Sequence, residues 1–222
     1  MSTNLKSILF VVNSPNFFLS HRLPLAIAAK KAGYEVHIAT ASGHGVSKIK
    51  SKGLIHHSIP FERSGQNIFF DFLTFISLIK LFRSVRPTLI HLVTIKPVIY
   101  GGIAARLVGI KSVIAAISGL GTVFIDKSFG GYLRQLFVFT FYRAAFKHRN
   151  FAVIFQNLDD KNVFIEKNLV KSDHCHIIRG SGVNLSEYSF IQEPDSIPII
   201  VMASRLLKDK GVFEFVNNNT IK

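Results

Sequence analysis

Short apolar runs rich in β-branched residues alternate with longer stretches of helical spacing along most of the chain. The runs at 7–12, 35–40, 55–61, 88–93, 112–117, 152–155 and 174–178 read as seven strands. Between them, helical patterns cover 20–32, 69–85, 97–109, 130–149 and 159–168. The first carries Leu23, Ile27 and Ala28 on one face and stops at Gly33. The second stops at Arg86-Pro87, because a residue before proline is pushed out of the α region. The third opens on Pro97, at a first-turn position where the missing N–H is no loss. The Ser/Gly/His stretch that follows residue 40 reads as a loop. Apolar strands joined through helices predict a parallel sheet covered on both faces.

The pattern changes near the end of the chain. Residues 1–190 read as one domain and 191–198, with Pro194 and Pro198, as a linker. Residues 199–222 read as the start of a second domain: a strand at 199–203, a loop, and the first turns of a helix at 212–216. Its last six residues, NNNTIK, carry no core signal. A segment of this size cannot form an independent core. The expectation is therefore a second domain that starts and does not continue.

Composition narrows the partner class. Lys+Arg number 27 against 13 Asp+Glu, a net charge of +14 and an isoelectric point near 10.1. Such a balance suits a phosphorylated substrate or an anionic membrane surface. Nucleic acid is disfavoured: there is no zinc spacing, basic repeat or RNA-binding signature, and the basic residues lie scattered between apolar runs. Cys175 stands alone, which rules out an internal disulfide, implies a reducing compartment and reads as a small buried residue of the last strand. The N-terminus lacks a secretory signal, and the longest apolar stretch, 68–82, contains Asp71 and Lys80 and is too short to span a bilayer. The expected location is cytoplasmic, at most peripheral on the inner membrane face. Apolar residues at 48%, among them 21 Phe, allow a sizeable core.

In an open parallel sheet, ligands meet the loops that follow the strands. The loop after the first strand, Asn13 to Arg22, lacks the GxGxxG fingerprint, so a dinucleotide cradle is not expected. Asn16, Ser20 and His21 either line a site there, or Ser20 caps the helix and His21 sits on its solvated first turn. After the fourth strand, Lys96 before a helix either reinforces an anion site or is solvated. After the fifth, Ser118, Gly119 and Gly121 allow close backbone approach to a ligand, or form an ordinary loop. After the seventh, Gly180 and Gly182 flank Ser181 in a tight turn that holds a phosphate, serves as a hinge, or does both. Arg205 and Lys210 flank a short loop of the second segment and form a phosphate grip or a plain basic loop. No nucleophile–base arrangement is readable, and Asp159-Asp160 reads as a helix start.

Taken in order, NFFLSHRLPLA (16–26), HLVTIKPVIYG (91–101), AISGLGTVF (116–124), GSGVN (180–184) and ASRLLKDKGV (203–212) resemble the GT-B glycosyltransferases of family 4. The likeness is to the bacterial type that extends polyprenyl-diphosphate-linked glycans. It implies an α/β, Rossmann-like parallel sheet with helices on both faces, forming the acceptor-side half of a two-lobed enzyme. It also implies a nucleotide-sugar donor held by Arg205 and Lys210, with transfer that retains anomeric configuration. No cofactor or metal would take part. Asn16, Ser20, His21, Lys96, Ser118, Gly119, Gly121, Gly180 and Gly182 would line the cleft on the acceptor side. The basic helix at 130–149, with Arg134, Arg143, Lys147, His148 and Arg149, would suit an anionic membrane. Family members carry a Glu-x7-Glu motif in the donor lobe, and none occurs in these 222 residues. This reading expects little or no transferase activity from the chain alone, with a separate polypeptide able to supply the rest. The competing reading is a non-catalytic module that binds a membrane surface or a sugar diphosphate.

Overall fold

The computed structural model describes residues 6–62, 68–120, 128–180, 182–183, 185–186, 188–197, 199–204, 206 and 210–217. Seven parallel strands form one sheet: β1 (Ser7–Val12), β2 (Glu35–Thr40), β3 (Ile55–Ser58), β4 (Leu89–Val93), β5 (Ser112–Ile117), β6 (Phe151–Phe155) and β7 (Cys175–Ile177). Their order is β3-β2-β1-β4-β5-β6-β7. The chain therefore builds outward from β1 in one direction, then returns to β1's other side with β4. The β1/β4 seam is the topological switch point. Its register pairs Phe10 with His91 and Val12 with Val93.

Alternation in β1 feeds two cores. Ile8, Phe10 and Val12 pack with Phe18 of α1 (Pro15–His21), Ala26 of α2 (Leu23–Lys31) and Ile49 of α3 (Val46–Ser51). Leu9 and Val11 face the other layer: Leu78 and Phe82 of α4 (Ile68–Val85), Ala104 of α5 (Gly102–Val108) and Tyr142 and Phe146 of α6 (Phe129–Phe146). Phe164 of α7 (Leu158–Glu166) joins the same cluster. Each of the Leu, Ile, Val and Phe side chains contributes about 1.5–3 kcal/mol on burial. The expected α/β class, with helices on both faces, is the class observed.

Several local expectations are corrected. The helix expected at 20–32 is two helices broken at Arg22, whose φ is −128°. Pro24 lies in the first turn of α2, where its ring excludes an i−4 carbonyl and prevents one continuous helix. Ser20 is consequently no N-cap; it sits near the end of α1 and its Oγ donates to the Asn16 carbonyl at 2.9 Å. The loop after β2 contains α3, a helix too short to show a clear period. The third strand stops at Ser58, and Pro60 cannot extend a ladder. The helix expected at 130–149 ends at Phe146, and His148 is buried, its Nε2 donating to the Ile110 carbonyl at 2.8 Å. Residues 199–203 form no strand. A β-branched run becomes a strand only with a partner ladder, and none of the described residues pairs with it.

By density of internal contacts the chain divides into Met1–Gly182 and Val183–Lys222. The first unit contains the sheet and both cores. In the second, the regular element among the described residues is α8 (Val212–Asn217).

Candidate functional site

At the carboxyl edge of the sheet, the switch point puts Asn13 after β1 beside Thr94 after β4. Asn13 Oδ1, Thr94 Oγ1 and His91 Nε2 are all buried without a hydrogen-bond partner among the described residues. A native fold seldom leaves such atoms orphaned, because each costs about 1–3 kcal/mol. Thr94 also holds φ at 74°. A β-branched residue in the left-handed region costs about 1–3 kcal/mol and persists only where the surroundings demand it.

His91 packs against Phe10 with ring centroids 5.3 Å apart. Complete burial, reinforced by the nearby Arg22 cation, holds its pKa down to about 3. The imidazole is therefore neutral at physiological pH and presents Nε2 as a neutral hydrogen-bonding group. Arg22 donates from Nη1 to the His21 carbonyl at 3.0 Å.

Next to Thr94 a cleft of about 160 Å³ opens between the ends of β4 and β5, lined by Thr94, Ile95, Ile117, Ser118 and Gly119. Gly119 has φ 133°, a conformation that favours glycine, and a Cβ there would meet nothing within 4 Å. The backbone is thus open to close approach.

The expected site residues are placed as follows. Ser118 and Gly119 line this cleft. Asn16 lies on the exposed side of α1. His21 ends α1, its ring stacked on Phe17 at 4.1 Å and its Nδ1 2.6 Å from Ser20 Oγ. It stands at the negative end of that helix, not on the first turn of the next. Lys96 follows Thr94, but its ammonium is drawn to Asp71 of α4 at 2.8 Å. Asp71 also accepts from the Tyr100 hydroxyl, and burial together with this carboxylate raises the Tyr100 pKa. Lys96 therefore ties α4 to the π-helical turn Pro97–Gly101 that opens α5. Gly180 and Gly182 both have positive φ, 64° and 67°, at the end of the first unit. Lys210 is exposed in the second unit, beside Gly211 and the short α8. Gly121 and Arg205 lie outside the described residues. His91 and Thr94 lie inside the segment 91–101 and Asn13 opens the loop after β1, yet nothing local in the sequence signals an orphaned atom or a left-handed threonine.

A larger groove of about 1040 Å³ crosses the opposite edge, where Lys6, Glu35, His37, Arg86 and Lys111 line it. There the polar groups engage one another: His37 Nε2 meets Glu35 at 2.8 Å and its Nδ1 meets His57 at 2.9 Å. The orphaned Asn13 and Thr94 atoms and the Thr94 strain lie at the carboxyl edge, and that edge is the candidate site.

A family model for glycosyl transferase 4-like proteins matches residues 7–157. The chain belongs to the glycosyl transferase 4-like family. Asn13, His91, Thr94 and the Ser118–Gly119 turn all fall within the matched region. Among curated proteins, it is 26% identical over 226 residues to the N,N'-diacetylbacillosaminyl-diphospho-undecaprenol alpha-1,3-N-acetylgalactosaminyltransferase of Campylobacter jejuni. That match takes in 92% of this chain and 59% of the relative, so the chain spans well under two thirds of the relative's length. Among solved structures it is similar to sucrose-phosphate synthase of Thermosynechococcus elongatus, with TM-score 0.58, 15% identity, and 82% of this chain against 49% of that one. It is also similar to UDP-GlcNAc 2-epimerase of Methanocaldococcus jannaschii, with TM-score 0.53, 15% identity, and 78% against 45%. At such identities these likenesses establish the Rossmann-like fold of the family's N-terminal domain and leave the chemistry to the site.

Proposed function

We propose that the chain is the acceptor-side lobe of a glycosyltransferase that moves a sugar from a nucleotide-sugar to a lipid-linked or other glycan acceptor in surface-polysaccharide assembly. The observation that carries this reading is the cleft at the switch point, where Thr94, left-handed and with an orphaned Oγ1, faces the Ser118–Gly119 turn, with the orphaned Asn13 Oδ1 at the end of the neighbouring strand. A threonine hydroxyl, which gives and takes hydrogen bonds, beside an amide acceptor suits the hydroxyls of a sugar, which do the same. Family membership supports a glycosyl-transfer chemistry, and the Campylobacter relative's name supports a polyprenyl-diphosphate acceptor. Arg205 and Lys210 would grip the donor diphosphate and offset the leaving charge. Transfer would need no metal or organic cofactor. The protein would work at the inner face of an anionic membrane. A separate polypeptide would supply further donor-binding surface.

The test is transfer from UDP-N-acetylhexosamine to an undecaprenyl-diphosphate sugar, with the chain alone and with a supplied donor lobe, with and without EDTA. Transfer upon complementation, unaffected by EDTA, is the expected result. Asn13→Ala and Thr94→Val should weaken acceptor binding about tenfold, the worth of a hydrogen bond lost to a buried site. The same substitutions should leave the ligand-free protein as stable as before or more stable, because each removes an unmet polar atom. Unchanged acceptor affinity would remove the site assignment. The epimerase likeness gives a second reading some weight. Conversion of UDP-GlcNAc to its 2-epimer without any acceptor would replace transfer by epimerisation.

A further inference from the structure

The groove at the amino edge of the sheet gathers positive charge from three separate points of the chain. Lys6 precedes β1, Arg86 precedes β4 and Lys111 precedes β5, and all three line it. Those strands are consecutive in the sheet. Their register, Ile8 beside Leu89 and Leu89 beside Ser112, puts the three cations within two residues of one level. Neighbouring parallel strands lie about 4.8 Å apart, so the three backbones enter the sheet across about 10 Å. The whole groove belongs to the unit Met1–Gly182.

Little in the groove neutralises this charge. Among the described residues none of the three cations pairs with a carboxylate. Glu35, the carboxylate in the lining, is taken by His37 Nε2 at 2.8 Å. The last residues of α4 and α5 also line the groove, and each helix end is worth about half a negative charge. Three full positive charges outweigh those two half charges even with Glu35 added. Arg86 is rooted at the groove by its backbone. Its φ of 45° turns the chain from the end of α4 into Pro87, and its N–H closes the helix on the Phe82 carbonyl at 2.9 Å. Thr88 Oγ1 accepts from the Ser7 N–H at 3.3 Å, which leaves its hydroxyl proton to donate elsewhere.

We infer that this groove is a second binding site, for a small molecule that carries two or more linked phosphates. Lys6, Arg86, Lys111 and the Thr88 hydroxyl all offer donors, and phosphate oxygens accept. A guanidinium meets them in bidentate fashion and an ammonium as a mobile point charge. Convergent cations of one sign in a concave surface focus the field on an anion. At about 1040 Å³ the groove has room for a whole small molecule, not for a single inorganic ion alone. The six residues of β1 separate this edge from the Thr94–Ser118 cleft by about 20 Å. The ligand of the groove is therefore separate from the sugar of the proposed transfer, and the inference stands independently of that reading.

The test is calorimetric titration of the full chain with pyrophosphate and, separately, with UDP at fixed ionic strength, alongside amide NMR shifts. Wild type should bind pyrophosphate, with shifts centred on the amides of Thr88, Gly109 and Lys111. Arg86→Asn combined with Lys111→Ser should weaken that binding about tenfold or more, because hydrogen bonds to charged groups are worth at least that factor. Asn tolerates the left-handed backbone at position 86, so the melting temperature should hold. Lys6→Ser, which touches no strained position, should weaken binding in the same direction. Lys48→Ser with Lys50→Ser removes the same charge from exposed positions of α3 and should change the affinity by less than about twofold. Equal losses for the two double variants overturn the inference, since attraction would then be diffuse. So does wild type that does not bind pyrophosphate, or binding that is lost in Lys210→Ser and kept in the groove variants. UDP that binds no tighter than pyrophosphate assigns the groove to the phosphate chain alone. UDP that binds more tightly, with the same loss in the groove variants, assigns it to a nucleoside diphosphate.

Discussion

His91 lies in the middle of β4, enclosed on every side, and its proton affinity follows from that enclosure. The folded protein holds its pKa near 3, whereas the unfolded chain titrates near the ordinary value of 6.5. Between those values the unfolded state binds a proton that the folded state refuses. Stability is therefore unaffected above about pH 6.5 and falls as pH drops below it, by up to about 1.4 kcal/mol per pH unit. Burial depresses His57 and His56 in the same direction. His91→Phe should remove only its own share, leaving a visibly shallower decline of melting temperature between about pH 6.5 and pH 4. Identical slopes for variant and wild type would mean that His91 accepts its proton within the fold. The sequence shows His91 as one more residue of an apolar run. Its neutrality depends on Phe10, paired with it across β1, and on Arg22, neither of which a local pattern identifies. Cys175, by contrast, is as expected: a buried thiol, its pKa raised by that burial.

Elements meet at distances that only their packing reveals. The helices α5 and α6 cross so closely that a Cβ on Gly102 would lie 2.7 Å from Ala145 Cβ and 3.2 Å from its Cα. Neither partner is a flexible side-chain end, so Gly102→Ala forces the helices apart at a cost of about 1–3 kcal/mol. Gly130 on the same α6 has open space around it. There Gly130→Ala should stabilise by up to about 1 kcal/mol through helix propensity alone. Denaturant midpoints measure both, and equal shifts for the two variants would refute the close crossing. The helix caps sort in the same way. Asp159-Asp160 signal the start of α7 in sequence, yet the cap itself is Asn157, whose Oδ1 accepts from the Asp160 N–H at 2.7 Å. Arg143, expected on a basic membrane face, instead donates to the Lys167 and Asn168 carbonyls at 2.8 and 3.1 Å, closing the end of α7.

For the whole molecule, the two-layer core lies within Met1–Gly182. Val183–Lys222 keeps large apolar residues such as Phe190 and Ile199 exposed. A chain ended after Gly182 should therefore melt cooperatively at the same temperature as the full chain, within experimental error. A clear drop would show that the second unit supports the first. Pulsed proteolysis offers an independent check, with early cuts expected beyond residue 182 and a protected remainder.

The sequence by itself determined the class of fold. β-branched runs separated by helical spacing permit a parallel sheet with two covered faces and little else, because local periodicity and burial are properties of each segment. The loops after the strands are legible as one edge of the sheet, and Ser118 and Gly119 line the candidate cleft there. Tertiary structure decided the rest. It placed β4 against β1 and so brought Asn13 beside Thr94, 81 positions later. It drew Lys96 to Asp71. Those outcomes depend on strand order and on which distant side chain arrives first at a given point in space, and a pattern of neighbouring residues does not encode either.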